Sequence, residues 1–303
     1  MTGLKAILAA MALAGILSTS LGEAQRAEKL GSRASSTCCA TEVSKQSIHS
    51  DANRLGLVIG NSSYPDADVP PTQTVNDASA LASTLRKDGF DIYLVQNATR
   101  DDMTRAIAHL KTKVRPDSIV MVYFGGFGIQ SGGQSYMIPV DAKIWYEDDV
   151  RRDGVSIDRL LSELKNSGAH IRLAVIDASR RNPYERRFRS YSHGLAPIEA
   201  GKNALILTSM PPGEVVDDSH GSHSLLITAL LNEMNLSTVS VEKIFDDTRL
   251  TVTRKTQNQQ VPAVSSSPID DVRLGPALTN AVVSSGQYNS RSPKLTIPRS
   301  APT

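Results

Sequence analysis

The stretch His170–Tyr184, HIRLAVIDASRRNPY, decides the fold of this 303-residue chain. Ile171 to Asp177 is a continuous apolar run, the pattern of a strand buried on both faces. It stops at Asp177-Ala178-Ser179 and breaks into a loop carrying Arg180, Arg181, Arg186, Arg187 and Arg189. A second run of the same kind, SIVMVYFGGFG (Ser118–Gly128), ends in a glycine-rich turn with Phe127 at its tip. Two buried strands that each end in turn-forming residues point to a sheet whose carboxyl edge gathers polar groups.

Further strands fall at Arg54–Gly60 (RLGLVIG), Phe90–Val95 and Ala204–Thr208. Between them lie helical periodicities. Val75, Ala78, Leu81 and Leu85 share one face over 75–87, as do Met103, Ile107 and Leu110 over 101–111. Asp158–Leu164 reads as a helix with Ser156 as its cap, and Ser224–Met234 and Val241–Val252 read as two more. Gly125–Ile138 reads as a small hairpin. Strands alternating with helices imply crossover units and a mainly parallel sheet covered on both faces. The expected fold is therefore α/β, a three-layer α/β/α sandwich over residues 53–275. In such sheets functional groups collect at the carboxyl ends of strands, where Phe127, Asp177 and Ser179 all fall.

The segments resemble, in order and spacing, a caspase-like (metacaspase-type) cysteine peptidase. RLGLVIGNSSY resembles that family's opening strand and turn, and Val75-Asn76-Asp77-Ala78 its Asn-Asp-Ala helix start. Met137–Ala142 (MIPVDA) resembles its hairpin segment, Gly154-Val155-Ser156 its next helix start, and Gln259–Pro262 a Gln-x-Pro element late in the domain. In the family the strand ending at Asp177 ends Asp-x-Cys and the other ends Gly-His-Gly. Here Ser179 stands at the cysteine position and Phe127 at the histidine position. A thiolate forms readily beside a cation; a serine hydroxyl is a poor nucleophile without an adjacent base. Phenylalanine moves no proton, and losing one member of such a pair costs nearly as much as losing both.

The resemblance further implies that Asp77 and Asp177 form an acidic pocket for a basic side chain, with Arg favouring bidentate geometry. The alternative is that Asp77 only caps a helix start and Asp177 only holds its loop. The arginine run reads either as a solvated basic loop, as one arginine occupying the acidic pocket in cis, or as a cleavage site.

The leading expectation is a catalytically inactive caspase-fold protein that binds a peptide or protein with basic side chains. An alternative is an active or residually active caspase-family endopeptidase, or a serine-type hydrolase in which His193, His220 or His223 serves Ser179. A third is a structural adaptor whose cleft is closed, marked by a filled apolar pocket around Phe127. No cofactor is expected, since the sequence holds no phosphate loop and no metal-ligand spacing. A net charge of +2 gives no reason to expect nucleic acid.

Residues 1–24 read as a removable export signal: Lys5, an apolar run from Ala6 to Leu17, then Gly22-Glu23-Ala24. The run is shorter than the ~20 residues a bilayer span needs, so no stable membrane anchor is expected. Residues 25–52 read as a linker and 276–303 as a disordered tail. Export would place the protein in the periplasm or outside the cell. Cys38 and Cys39 are adjacent, about 3.8 Å apart at Cα, closer than ordinary disulfide geometry allows.

Overall fold

The computed structural model describes residues 52–274, except 68, 189–191, 217–220, 237–238 and 268. The expected export signal, the pair Cys38 and Cys39, the tail 276–303, His220 and Arg189 lie outside the described residues. In chain order the elements are β1 (Arg54–Gly60), α1 (Thr74–Lys87), β2 (Asp91–Gln96), α2 (Arg100–Lys113), β3 (Ile119–Gly125), β4 (Gly128–Ser131), β5 (Gln134–Met137), α3 (Glu147–Asp153), β6 (Val155–Ser156), α4 (Ile157–Asn166), β7 (Ile171–Asp177), β8 (Ala204–Thr208), α5 (Leu225–Leu236), α6 (Val241–Lys255) and β9 (Ala263–Ser266).

The main sheet has the order β2-β1-β3-β7-β8-β9, and a small sheet has the order β4-β5-β6. All neighbours in the main sheet run parallel except β8 and β9. Side chains alternate across the sheet, as the two-residue period of a strand requires. On one face Ile119, Met121 and Tyr123 of β3 join Ile171, Leu173 and Val175 of β7 against α1, α5 and α6. On the other, Val120, Val122 and Phe124 join Ala174 and Ile176 against α2 and α4. This is the expected three-layer α/β/α sandwich, with both faces of a mainly parallel sheet covered.

The helices begin where local chemistry allows. Thr99 and Asp102 form a reciprocal capping box at α2, and Ser156 accepts from the Arg159 amide at α4. A cap contributes about 1 kcal/mol. The four buried side chains of α4, Ile157, Leu160, Leu161 and Leu164, contribute about 1.5–3 kcal/mol each. Burial therefore dominates, and the caps set the boundaries.

Three elements were not visible in the sequence pattern. α3 is short and polar, with Val150 as its apolar anchor. β6 is two residues long. β9 is four residues, three half-buried and Ser266 exposed, whose pairing partner lies more than fifty positions earlier.

The parallel register pairs Gly125 with Asp177, and the two strand ends stay together beyond it. The Gly126 amide donates to Asp177 O at 3.3 Å, and the Gly128 amide donates to Ala178 O at 2.9 Å. A Cβ on Gly128 would lie 2.8 Å from Ala178 O and 2.9 Å from Ala178 Cβ. Gly128→Ala is therefore expected to cost about 1–3 kcal/mol as an overpacked contact. Urea unfolding reads this directly; an unchanged midpoint would contradict so close a packing of the two ends.

Candidate functional site

The carboxyl ends of β1, β3, β7 and β8 meet on one side of the main sheet. Asn61, directly after β1, is fully buried; its side chain accepts from the Ala98 amide at 2.8 Å and donates to Ile138 O at 3.3 Å. Thr74 at the start of α1 donates to Asn61 O at 2.6 Å. These bonds tie the exit of β1 to α1, which carries Asp77, and to the segment after β5.

Phe127 sits in the turn between β3 and β4 and is 3% exposed. Its ring meets that of Tyr64 edge-on, with centroids 4.8 Å apart and planes at 61°. Its amide donates to Tyr64 Oη at 3.1 Å, and Tyr64 Oη donates to Ile138 O at 2.9 Å. Burial pushes the Tyr64 phenol well above the usual tyrosine range, so it stays neutral. Ile129, Ile138, Ile144 and Tyr184 complete a third apolar cluster around Phe127. At the position where the resemblance implies a proton-transfer group, the chain places a packing residue.

Ser179 follows β7 and is 0% exposed. Its amide donates to Ser209 Oγ at 3.2 Å, and its carbonyl accepts from the Val216 amide at 2.8 Å. Its own Oγ has no hydrogen-bond partner among the described residues. The two described histidines weighed as substitute bases are engaged elsewhere. His193 Nε2 lies 2.7 Å from Glu185 Oε2, and His223 Nδ1 lies 2.8 Å from Asp77 Oδ1. Neither is hydrogen-bonded to Ser179, and His220 lies outside the described residues.

The two acidic residues are both fully buried. Asp77 faces away from its own helix and takes the amide of Ser224 at 3.1 and 3.2 Å, together with His223. It thereby anchors the start of α5, where Ser224 Oγ accepts from the Ile227 amide at 3.2 Å. Burial, then the nearby negative charge of Asp177, pushes the Asp77 carboxyl up to about 6. Asp177 has Arg180 Nη2 3.4 Å from its Oδ1, while among the described residues neither carboxylate oxygen accepts a hydrogen bond. Arg180 is itself buried and donates to Gly126 O at 3.1 Å and to Asp177 O. It clamps the β3 turn to the end of β7, a role the sequence signalled only as one arginine of a run.

The other described arginines of that run diverge. Arg181 is exposed, and Arg187 stacks over Trp145 at 4.6 Å and donates to Ile144 O at 2.6 Å. Tyr64, Ser209 and Val216 are site residues that sequence reasoning gave no role, and His223, expected as a base for Ser179, serves Asp77 instead. Tyr64 comes from the segment after β1 and the others from the one between β8 and α5, and no local pattern announces where those two segments converge. Among the described residues no group of three or more His, Cys, Asp or Glu is placed to hold a metal ion.

A crossover-built parallel sheet with one antiparallel edge, and a site shared by two central strand ends, defines a caspase-like α/β protein. The caspase domain profile matches residues 53–273, and the chain belongs to that family. The chain is also similar to the mucosa-associated lymphoid tissue lymphoma translocation protein 1 homolog of Mus musculus. That match is 24% identical over 137 residues, 44% of this chain and 16% of the mouse protein. The chain thus spans less than a fifth of this relative.

Two outcomes follow from the geometry. A buried hydroxyl without a partner costs roughly 1–3 kcal/mol. Ser179→Ala should therefore raise stability by about 1 kcal/mol in urea unfolding; a clear loss would show that the hydroxyl is bonded. Asp77 titrates near 6 in the folded chain, against an ordinary value of 3.8. The folded state then holds more protons than the unfolded state between these values. The corresponding stability is present in full below 3.8 and is lost as pH rises through about 6. Carboxyl NMR should find the Asp77 midpoint near 6, and lower after Asp177→Asn; an ordinary midpoint unmoved by that substitution would refute the coupling.

Proposed function

We propose that this chain is a caspase-fold pseudoprotease, exported from the cell, whose strand-end site binds a basic side chain of a protein partner and does not cleave it. The observation that carries this reading is the buried carboxylate pair Asp77 and Asp177 beside a nucleophile position that has no base among the described residues. Among the described residues neither buried oxygen of Asp177 accepts a hydrogen bond, although Arg180 Nη2 lies 3.4 Å from Oδ1; a partner's guanidinium, the group best shaped to bond both oxygens, would join or displace Arg180 there. Phe127 accepts no proton and Ser179 Oγ touches no base among the described residues, so hydrolysis lacks both of its reacting groups.

A closed structural scaffold is the second reading, favoured by the apolar cluster around Phe127. One set of measurements separates the two readings from each other and from an enzyme. Calorimetry with an arginine-containing peptide should give saturable binding that weakens at least about tenfold in Asp177→Asn, roughly 1.4 kcal/mol. Peptidase assays on arginyl and lysyl substrates should stay at background. The double substitution Phe127→His with Ser179→Cys should also stay silent, since the sulfur would be buried at a fully covered position. No binding by the folded protein would favour the scaffold. Turnover abolished by Ser179→Ala would restore the enzyme reading.

A further inference from the structure

Arg180 is 5% exposed and follows Asp177 by three residues. Its Nη2 stands 3.4 Å from Asp177 Oδ1, yet among the described residues neither oxygen of that carboxylate accepts a hydrogen bond. A guanidinium and a carboxylate in their preferred geometry share two parallel bonds of about 2.7–2.9 Å. The second nitrogen of Arg180 accounts for the poor fit. Nη1 donates to Asp177 O and, at 3.1 Å, to Gly126 O. With that nitrogen committed to two carbonyls, a side chain rooted so near its acid does not turn its fork onto the carboxylate.

Asp177 is still felt as a negative charge with Arg180 in place: after burial, it is what raises the Asp77 carboxyl. The Arg180 charge also reaches Tyr64, where it opposes the burial that raises the phenol. One guanidinium therefore touches both halves of the site, the acidic pair and the turn that packs Phe127 on Tyr64. It spares Asp177 the full cost of an unpaired buried charge. It leaves unused the bonding capacity of two oxygens, which an incoming fork would fill. Buried pairs of this kind add little net stability, so exchanging one guanidinium for another costs the fold little.

We infer that Arg180 is a displaceable occupant of the acidic pocket: an arginine of the partner takes its place at Asp177, and Gly126 O is released in the exchange. This rests on the reading that the pocket binds a basic side chain, and adds how that binding is regulated. The pocket is self-occupied in the free chain, so its apparent affinity falls by the fraction of molecules in which Arg180 holds it. Occupancy is also transmitted. The bond from Arg180 to Gly126 O joins the β3 turn to the end of β7, beside the amide bonds of Gly126 and Gly128. Its loss on binding loosens the turn that carries Phe127.

The test compares the unsubstituted chain with Arg180→Gln, which keeps an amide donor but removes the charge and the fork. In calorimetry with the arginine-containing peptide, Arg180→Gln should bind at least about tenfold tighter. A residue that only braced the fold would give the opposite sign, since losing a brace weakens a site. Arg181→Gln, at an exposed position, should leave the affinity unchanged. Hydrogen exchange on the unsubstituted chain needs no variant: saturating peptide should quicken exchange of the 126–128 amides. If Arg180→Gln melts early, the exchange measurement decides alone. Equal or weaker binding by a folded Arg180→Gln, or unchanged or slowed exchange at 126–128 with peptide bound, overturns this inference and leaves the pocket reading in place. Absence of binding by both the unsubstituted chain and folded Arg180→Gln removes the pocket reading, and this inference with it.

Discussion

The parallel pairing of β3 with β7, in the register that sets Gly125 beside Asp177, is the constraint on which the rest of this molecule depends. Both strands are buried along their whole length, so a slip by one residue would turn every core side chain to the wrong layer. Because the register holds, Phe127 and Ser179 leave adjacent strand ends at the same level of the sheet. The two amide bonds from Gly126 and Gly128, and the Arg180 clamp, extend that order past the strands. Glycine is needed at 128 because the backbone of Ala178 occupies the space a Cβ would take.

At that shared edge, packing stands where the family resemblance implies chemistry. Phe127 joins Tyr64 in an apolar cluster, and an edge-on ring pair adds about 0.5–1.5 kcal/mol beyond the burial itself. The polar groups that remain are costly. Two buried carboxylates lie close enough for one to raise the other's pKa, and Asp177 has an arginine at 3.4 Å but no hydrogen bond. Buried ion pairs of this kind rarely add net stability over apolar replacements. Their presence where no base is in contact with Ser179 among the described residues is the ground of the proposal that the site recognises charge.

Much of the fold was legible in the primary structure because long apolar runs leave little choice. Arg54–Gly60, Ile171–Asp177 and Ala204–Thr208 form strands with the boundaries their patterns indicate. The helices extend their apolar stripes by a residue or a turn at most. The elements that escaped, α3, β6 and β9, are short or half-exposed, and tertiary pairing, not periodicity, makes them regular.

Sequence by itself determined the layer architecture, the family, and the placing of Phe127, Asp177 and Ser179 at the carboxyl edge, since each follows from local pattern and strand direction. Which group faces which was decided only in three dimensions. Asp77 sits in the first turn of α1 yet anchors the start of α5, nearly 150 residues later. Of the described arginines after Ser179, Arg180 is the one drawn against Asp177. Such choices rest on the convergence of separate loops in a dry interior. There the cost of an unpaired charge selects partners by distance in space, and separation along the chain carries no information about it.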